Sequence, residues 1–353
     1  MSTEFIRQFR SQPGHRWFSP LLVVALAAVL YGVGLIVQFV GFFIWGLVAV
    51  GGGGDFDVWA ESMIDFNTVS GMVNGLASVI LMWPAVEFAT RIVYRRWFWS
   101  MISIRRGPAG GGLPGRGLTD PGLADSGLAD FGLQGRGLRW GRLGRFVLLA
   151  LPVWVIAATV MIVVSPGPLG DLTAGLQWNR HVLTMLIAVI VLVPFQAAAE
   201  EVVFRGLAMN IIGSWLKHPA WAVLIPVPFF VYGHLYDLAG LIDVGVFAVI
   251  VGILTLYTNG LEVGMAFHIV NNLFALGLGV LSGADLNATS GPAIETVISI
   301  SAPIAFAGLV VLDTRRRQYR TDPGEAADPG EADEEGAAPA MTTSRTYSQA
   351  NQL

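Results

Sequence analysis

The chain has 353 residues, 54% of them hydrophobic and 13% charged, with a mean hydropathy of +0.62. A soluble domain carries about 25% charged residues, so the composition excludes an ordinary soluble globule and predicts an all-α polytopic membrane protein with one membrane core, in contact with the lipid bilayer and with no nucleic-acid partner. Cysteine is absent, which excludes disulfides, thiol nucleophiles and thiolate metal sites. The net charge of −4 comes from the end of the chain, where residues 321–353 hold seven acids and one Arg and leave the remainder at +2.

In chain order, residues 1–16 are polar, with Arg7, Arg10 and Arg16, and read as a cytoplasmic N-terminus. Residues 17–93 hold the first two membrane spans. The first apolar run, Trp17–Val50, is about 50 Å long as a helix, more than a hydrocarbon core of about 30 Å, so it must tilt, bend or protrude. It is too long for the h-region of a cleavable signal. Gly51–Gly54 ends it, and four acids and no base follow in 55–66. The second run, Val69–Val93, contains Pro84 and a Glu87/Arg91 couple at helical spacing, expected to pair structurally.

Residues 94–145 form a basic loop with an amphipathic stretch, Trp97–Ile104. Within it Gly-Leu recurs at 112, 117, 122, 127, 132 and 137. A period of five matches neither helix nor strand, and this segment reads as a linker or membrane-surface loop. Residues 146–312 are the expected six-span core: Phe146–Val164, His181–Leu216, Ala220–Leu235, Gly240–Tyr257, Val263–Leu281 and Ile294–Leu312. The second of these is too long for one simple crossing and has Pro194 as its expected kink. The third is short and carries Pro226 and Pro228. Residues 313–353 are acidic, repeat DPGEA at 322 and 328, and read as a disordered cytoplasmic tail.

The basic residues concentrate in the N-terminus, the 94–145 loop, Lys217 and Arg315–Arg317, while the alternate loops hold only Arg180. The positive-inside rule then predicts about eight transmembrane helices with both termini cytoplasmic. A multi-pass protein of the plasma membrane, of bacterial type, is expected.

The chemistry is concentrated in QAAAEEVVFRGLAM, residues 196–209, which sets Glu200, Glu201 and Arg205 inside a long apolar run. A charge at membrane depth costs about 2.5–3.5 kcal/mol on insertion scales, so such residues mark function by default. Glu201 and Arg205 stand four apart on one helical face and are expected to pair. Glu200, about 100° round the helix, is left for chemistry. Two histidines also lie in apolar spans, His234 in FVYGH, one turn after Phe230, and His268 in HIVNN, one turn before Asn272. A lone membrane histidine is more often a packing residue. Two of them, with an Asn and a Glu-Glu-Arg cluster, favour catalysis. Glu200 and His234 would polarise a water, the carboxylate acting as general base, and His268 and Asn272 would stabilise an oxyanion. Glu200, His234 and His268 would equally suit one divalent metal such as zinc, as three N/O ligands with an open water position. His15, His181, His218, Glu262 and Asp243 lie near span ends and read as solvated.

EEVVFR at 200–205, FVYGH at 230–234 and HIVNN at 268–272 resemble the EExxxR, FxxxH and HxxxN motifs of the CAAX prenyl protease and bacteriocin-processing (CPBP) family, in order and spacing, over about residues 181–280. That family comprises intramembrane endopeptidases with an eight-helix core. The resemblance implies water activation by Glu200 and His234 and an oxyanion site at His268 and Asn272. It makes Glu201, Arg205 and Phe230 supporting residues and membrane-associated peptides or proteins the substrates. It leaves metal dependence and oligomeric state open. The Gly-Leu loop and the tail are not part of the family pattern. HExxH, GxGD and rhomboid-like serine motifs are absent. The competing functions are a catalytically silent binding or immunity protein of the same fold and a proton-relay transporter, the latter disfavoured because the two halves of the chain show no convincing repeat of one another.

Overall fold

A computed structural model describes residues 5–51, 54–102, 137–165 and 178–321, with side chains through 316. The Gly-Leu repeat up to residue 136 and the acidic tail from 322 lie outside the described residues, as does the end of the 97–104 stretch. Described residues up to 311 form one compact unit.

The described residues contain helices and no strand. We number the α-helices α1 (Ser19–Val50), α2 (Phe56–Ser62), α3 (Val69–Ile80), α4 (Met82–Tyr94), α5 (Trp140–Val164), α6 (Arg180–Glu201), α7 (Met209–Trp215), α8 (Pro219–Leu224), α9 (Pro226–Tyr232), α10 (Leu238–Thr258), α11 (Glu262–Ser282) and α12 (Ala293–Thr321). Among the described residues seven segments are long and apolar enough to cross a membrane: Ser19–Val50, Val69–Tyr94, Trp140–Val164, Arg180–Trp215, Leu238–Thr258, Glu262–Ser282 and Ala293–Arg316. The chain is therefore an all-α polytopic membrane protein. Trp17, Trp140, Trp178 and Tyr232 are exposed at or next to helix ends, where amphipathic rings suit a membrane–water interface.

The fifth expected span, Ala220–Leu235, differs. Pro219–Tyr232 is a shorter apolar segment, split at Ile225 into α8 and α9. Pro226 has no N–H to continue the first helix, and 14 residues at 1.5 Å each reach about 21 Å, short of the hydrocarbon thickness. A similar break divides α3 from α4 at Leu81, where Pro84 leaves the carbonyl of Ile80 without its donor. Glu87 and Arg91 do not pair. Glu87 accepts the Trp99 N–H at 2.7 Å, and Arg91 donates to the Arg95 carbonyl at 2.6 Å and lies over Trp97.

The hub of the fold is α11, which packs along α5 and α6 and touches α10. Its Phe267 stacks on Phe306 of α12 and on Phe247 of α10. It starts after a left-handed Asn259 and ends at Gly283, also left-handed. Both are residues that tolerate positive φ and so stop a helix.

The segment before α1 is more than a polar leader. Phe5, Ile6 and Phe9 are completely buried, packed on α7 where Gly213 makes room. A Cβ there would come within 2.3 Å of the Ile6 carbonyl. The Gln8 N–H donates to Asn210 Oδ1 at 3.1 Å, and Gln8 Nε2 donates to the Met101 carbonyl at 2.7 Å.

At another edge two Asp-x-Asn turns clasp each other. Asn287 donates to Asp65 and Asn67 donates to Asp285, each at 2.7 Å. The Phe66 N–H returns a bond to Asn287 Oδ1, and the Leu286 N–H one to Asn67 Oδ1. This exchange ties the turn before α3 to the end of α11.

Candidate active site

Helix α6 is capped by Asn179, whose side chain accepts the Val182 N–H at 2.9 Å, and it continues through Pro194 to Glu201. Further on, Val202–Ala208 forms a π-helical stretch. The Met209 N–H there bonds the Phe204 carbonyl, five residues back, and Asn210 Nδ2 reaches the Gly206 carbonyl at 2.8 Å. Such wide turns concentrate at functional sites.

Just before this stretch, Glu200 and Glu201 face α11. As expected, Glu201 pairs with Arg205, with Nη1 to Oε1 at 2.9 Å. His268 enters between the two acids, its Nδ1 lying 2.9 Å from Glu201 Oε1 and its Nε2 3.5 Å from Glu200 Oε2. Glu200 is therefore not set apart from the pair, because one imidazole touches both carboxylates. Glu200 is 9% exposed, Glu201 0%, Arg205 3% and His268 3%. Such groups can be buried together because each carboxylate faces a partner, Glu201 the Arg205 guanidinium and the imidazole, Glu200 the imidazole and Gln196.

The approach of α11 depends on Gly264, where a Cβ would lie 2.5 Å from Glu201 Oε2. The Arg205 guanidinium sits 4.4 Å from the Phe230 ring centroid and 5.3 Å from that of Phe247, close enough for cation–π attraction. Phe230 thus supports Arg205, and its ring also stands against both His234 and His268.

His234 is half-buried and more distant from the carboxylates in its bonding. Among the described residues its one side-chain hydrogen bond joins Nδ1 to the Phe230 carbonyl, at 2.8 Å. A carbonyl only accepts, so Nδ1 carries the proton and Nε2 keeps its lone pair in the neutral ring. Tyr236 lies beside it, ring centroids 5.9 Å apart. This half-exposed phenol is pushed up by desolvation and by the negative charges of Glu200 and Asp243. Asn272 is joined to the acids indirectly, donating from Nδ2 to Gln196 Oε1 at 3.0 Å, while Gln196 Nε2 donates to Glu200 Oε1 at 2.7 Å.

The structure thus gathers Glu200, Glu201, Arg205, His268 and, through Gln196, Asn272. His234 adjoins the group across Phe230. No three His, Cys, Asp or Glu side chains among the described residues are placed to hold a metal ion. Glu200, His234 and His268, the expected zinc set, do not form such a group in this arrangement.

Several residues escaped the sequence. Gln196 was legible in principle as a polar residue four before Glu200 on an apolar face, and Asn271 as the neighbour of Asn272. Gly264 and Phe247 carried no signal. Glu262, expected to be solvated, is fully buried and held by Arg139 through Nε–Oε1 at 2.8 Å and Nη2–Oε2 at 2.7 Å. Asp243 accepts from Ser299 Oγ at 2.6 Å. His15 meets Tyr94, His181 meets the Asn67 carbonyl, and His218 caps α8.

Residues 180–274, which include every residue of this cluster and its three motifs, match the family described as Type II CAAX prenyl endopeptidase Rce1-like. Comparisons with curated proteins and with solved structures find no match.

Proposed function

We propose that this protein hydrolyses peptide bonds of membrane-associated peptides or proteins with a water activated at Glu200, a reading supported by the match of residues 180–274 to the Rce1-like type II CAAX prenyl endopeptidase family. The family supports CAAX-type endopeptidase activity in a membrane in general terms. The observation that carries the finer reading is the buried cluster in which His268 bridges Glu200 and Glu201 beside Arg205.

Glu200 Oε1 is engaged by Gln196, whereas Oε2 is buried and accepts no hydrogen bond among the described residues. Oε2 is the general base. It takes a proton from water as the water oxygen bonds to the scissile carbonyl carbon and the carbonyl electrons move to oxygen. The lone pair on His234 Nε2 orients the second hydrogen of that water. His268 and the remaining amide hydrogen of Asn272 stabilise the oxyanion, with about 10²–10³ in rate per donor by analogy. When the intermediate collapses, the C–N bond breaks and Glu200 returns its proton to the leaving amine. Glu201 and Arg205 hold the His268 ring from behind. No step passes through a metal.

Prenylated substrates define true CAAX processing. For a chain of this composition, maturation of a peptide or clipping of a membrane regulator fits better. Taking the basic 94–145 loop, whose Arg139 grips Glu262, as the cytoplasmic side puts the cluster toward the cytoplasmic ends of α6 and α11. The decisive experiment compares protein N-termini in membranes from cells expressing the wild type or Glu200→Ala. Termini found only with the wild type would establish proteolysis. Identical sets, with both proteins folded and equally abundant, would shift the function to a silent binding or immunity protein.

A further inference from the structure

Three amides stand in line behind the Glu200 carboxylate. Asn271 Nδ2 donates to Asn272 Oδ1 at 2.9 Å, Asn272 Nδ2 to Gln196 Oε1 at 3.0 Å, and Gln196 Nε2 to Glu200 Oε1 at 2.7 Å. Gln196 is 6% exposed, so its amide has no bulk water to exchange with.

The direction of the chain follows from its end. A carboxylate only accepts, so Gln196 must turn its NH2 to Glu200 and its carbonyl away. That carbonyl requires a donor, so Asn272 must present its own NH2, which leaves Asn272 Oδ1 to accept from Asn271. Each amide is oriented by the next, and aligned hydrogen bonds in a low-dielectric interior polarise one another.

We propose that Gln196 is a positioning residue for the hydrolytic reaction. It pins Oε1 of Glu200, so that Oε2, beside His268, is the oxygen that takes the proton from water. Asn272 and Asn271 act on Glu200 through it by fixing which way its amide faces. Asn272 then has two tasks, one amide hydrogen toward the oxyanion and one toward Gln196. The inference rests on the endopeptidase function above and adds the connection between the first and third sequence motifs.

The test is a double-mutant cycle on a substrate identified from the N-terminus comparison. Gln196→Met keeps the volume and removes both hydrogen bonds. It is expected to lower kcat about 10- to 100-fold, the range for a hydrogen bond to a charged group, with KM unchanged because Gln196 does not touch substrate. Asn272→Asp keeps the shape but presents only oxygens, so the Gln196 amide must flip and turn its carbonyl to Glu200. Adding Gln196→Met to Asn272→Asp is therefore expected to cost little more. Losses that multiply in the double variant would overturn the link, as would a Gln196→Met effect confined to KM. If Gln196→Met fails to accumulate as folded protein, Asn271→Leu, two amides from the carboxylate, still reports. A smaller kcat loss at constant KM supports the relay, and wild-type kinetics overturn its outer member. Absence of any Glu200-dependent cleavage by the wild type would instead remove the endopeptidase function itself.

Discussion

Arg205 has one strong electrostatic partner, Glu201, and two aromatic faces, Phe230 and Phe247. Glu201 in turn anchors Nδ1 of His268, so the stability of the cluster and the position of the imidazole depend on the same carboxylate. Replacing Arg205 by Leu leaves Glu201 buried without its cation. Breaking a buried pair from one side costs about 3–5 kcal/mol. We therefore expect Arg205→Leu to show a clearly lower thermal midpoint in detergent, together with loss of cleavage. An unchanged midpoint would mean that Glu201 is neutral in the folded protein. The sequence already spaced this pair correctly. It could not tell that His268 would bond both acids, because that contact joins residues 67 apart in the chain.

At the level of elements, the turn from α10 to α11 sets where His268 and Asn272 stand. Arg139 donates to the carbonyls of Thr258 and Asn259, which the end of α10 leaves open, and grips Glu262 in the first turn of α11. The Leu261 N–H bonds the Ile102 carbonyl. Both flanks of the 103–136 segment are thus fastened to the turn that launches α11. Glu262→Ala removes a fully buried carboxylate from a bidentate pair and is expected to destabilise by about 3–5 kcal/mol. Hydrogen exchange should quicken first in the opening turn of α11. Exchange confined to other helices would show that Arg139 does not hold this turn. Near a span end a Glu reads as solvated. Only the return of Arg139, 123 residues earlier, turns it into a buried one.

For the molecule as a whole, the two Asp-x-Asn turns lash the 65–67 corner to the end of α11 outside the membrane spans. The Asn287 side chain, followed by the Asn67 N–H, holds the Asp65 carboxyl below the usual carboxylate range. The Asn67 side chain, followed by the Asn287 N–H, does the same for Asp285. A lowered folded pKa contributes stability above the unfolded value and loses it as pH falls through the folded value. The clasp is therefore expected to be intact at neutral and mildly acid pH and to loosen only below the ordinary carboxylate range. Exchange of the Phe66 and Leu286 amides measured against pH would check this. Loosening already near pH 6 would contradict the assignment. Both carboxylates are solvent-exposed, so the effect should be local and leave the helical core folded.

Composition and hydropathy determined the membrane class, because the bilayer requires long apolar helices whose backbone groups bond within the helix. The three motifs likewise exposed Glu200, Glu201, Arg205, His234, His268 and Asn272, since buried polar residues are rare enough in apolar runs to stand out. Tertiary structure alone decided what each of them faces. It shortened the fifth span at Pro226, placed an irregular turn after Glu201, buried Phe5, Ile6 and Phe9 of a segment that reads as polar, and inserted Gln196 between Glu200 and Asn272. The physical reason is range. Helix length, breaks and periodicity are local properties of neighbouring residues, whereas a hydrogen bond across helices depends on rotation and register that no single helix contains.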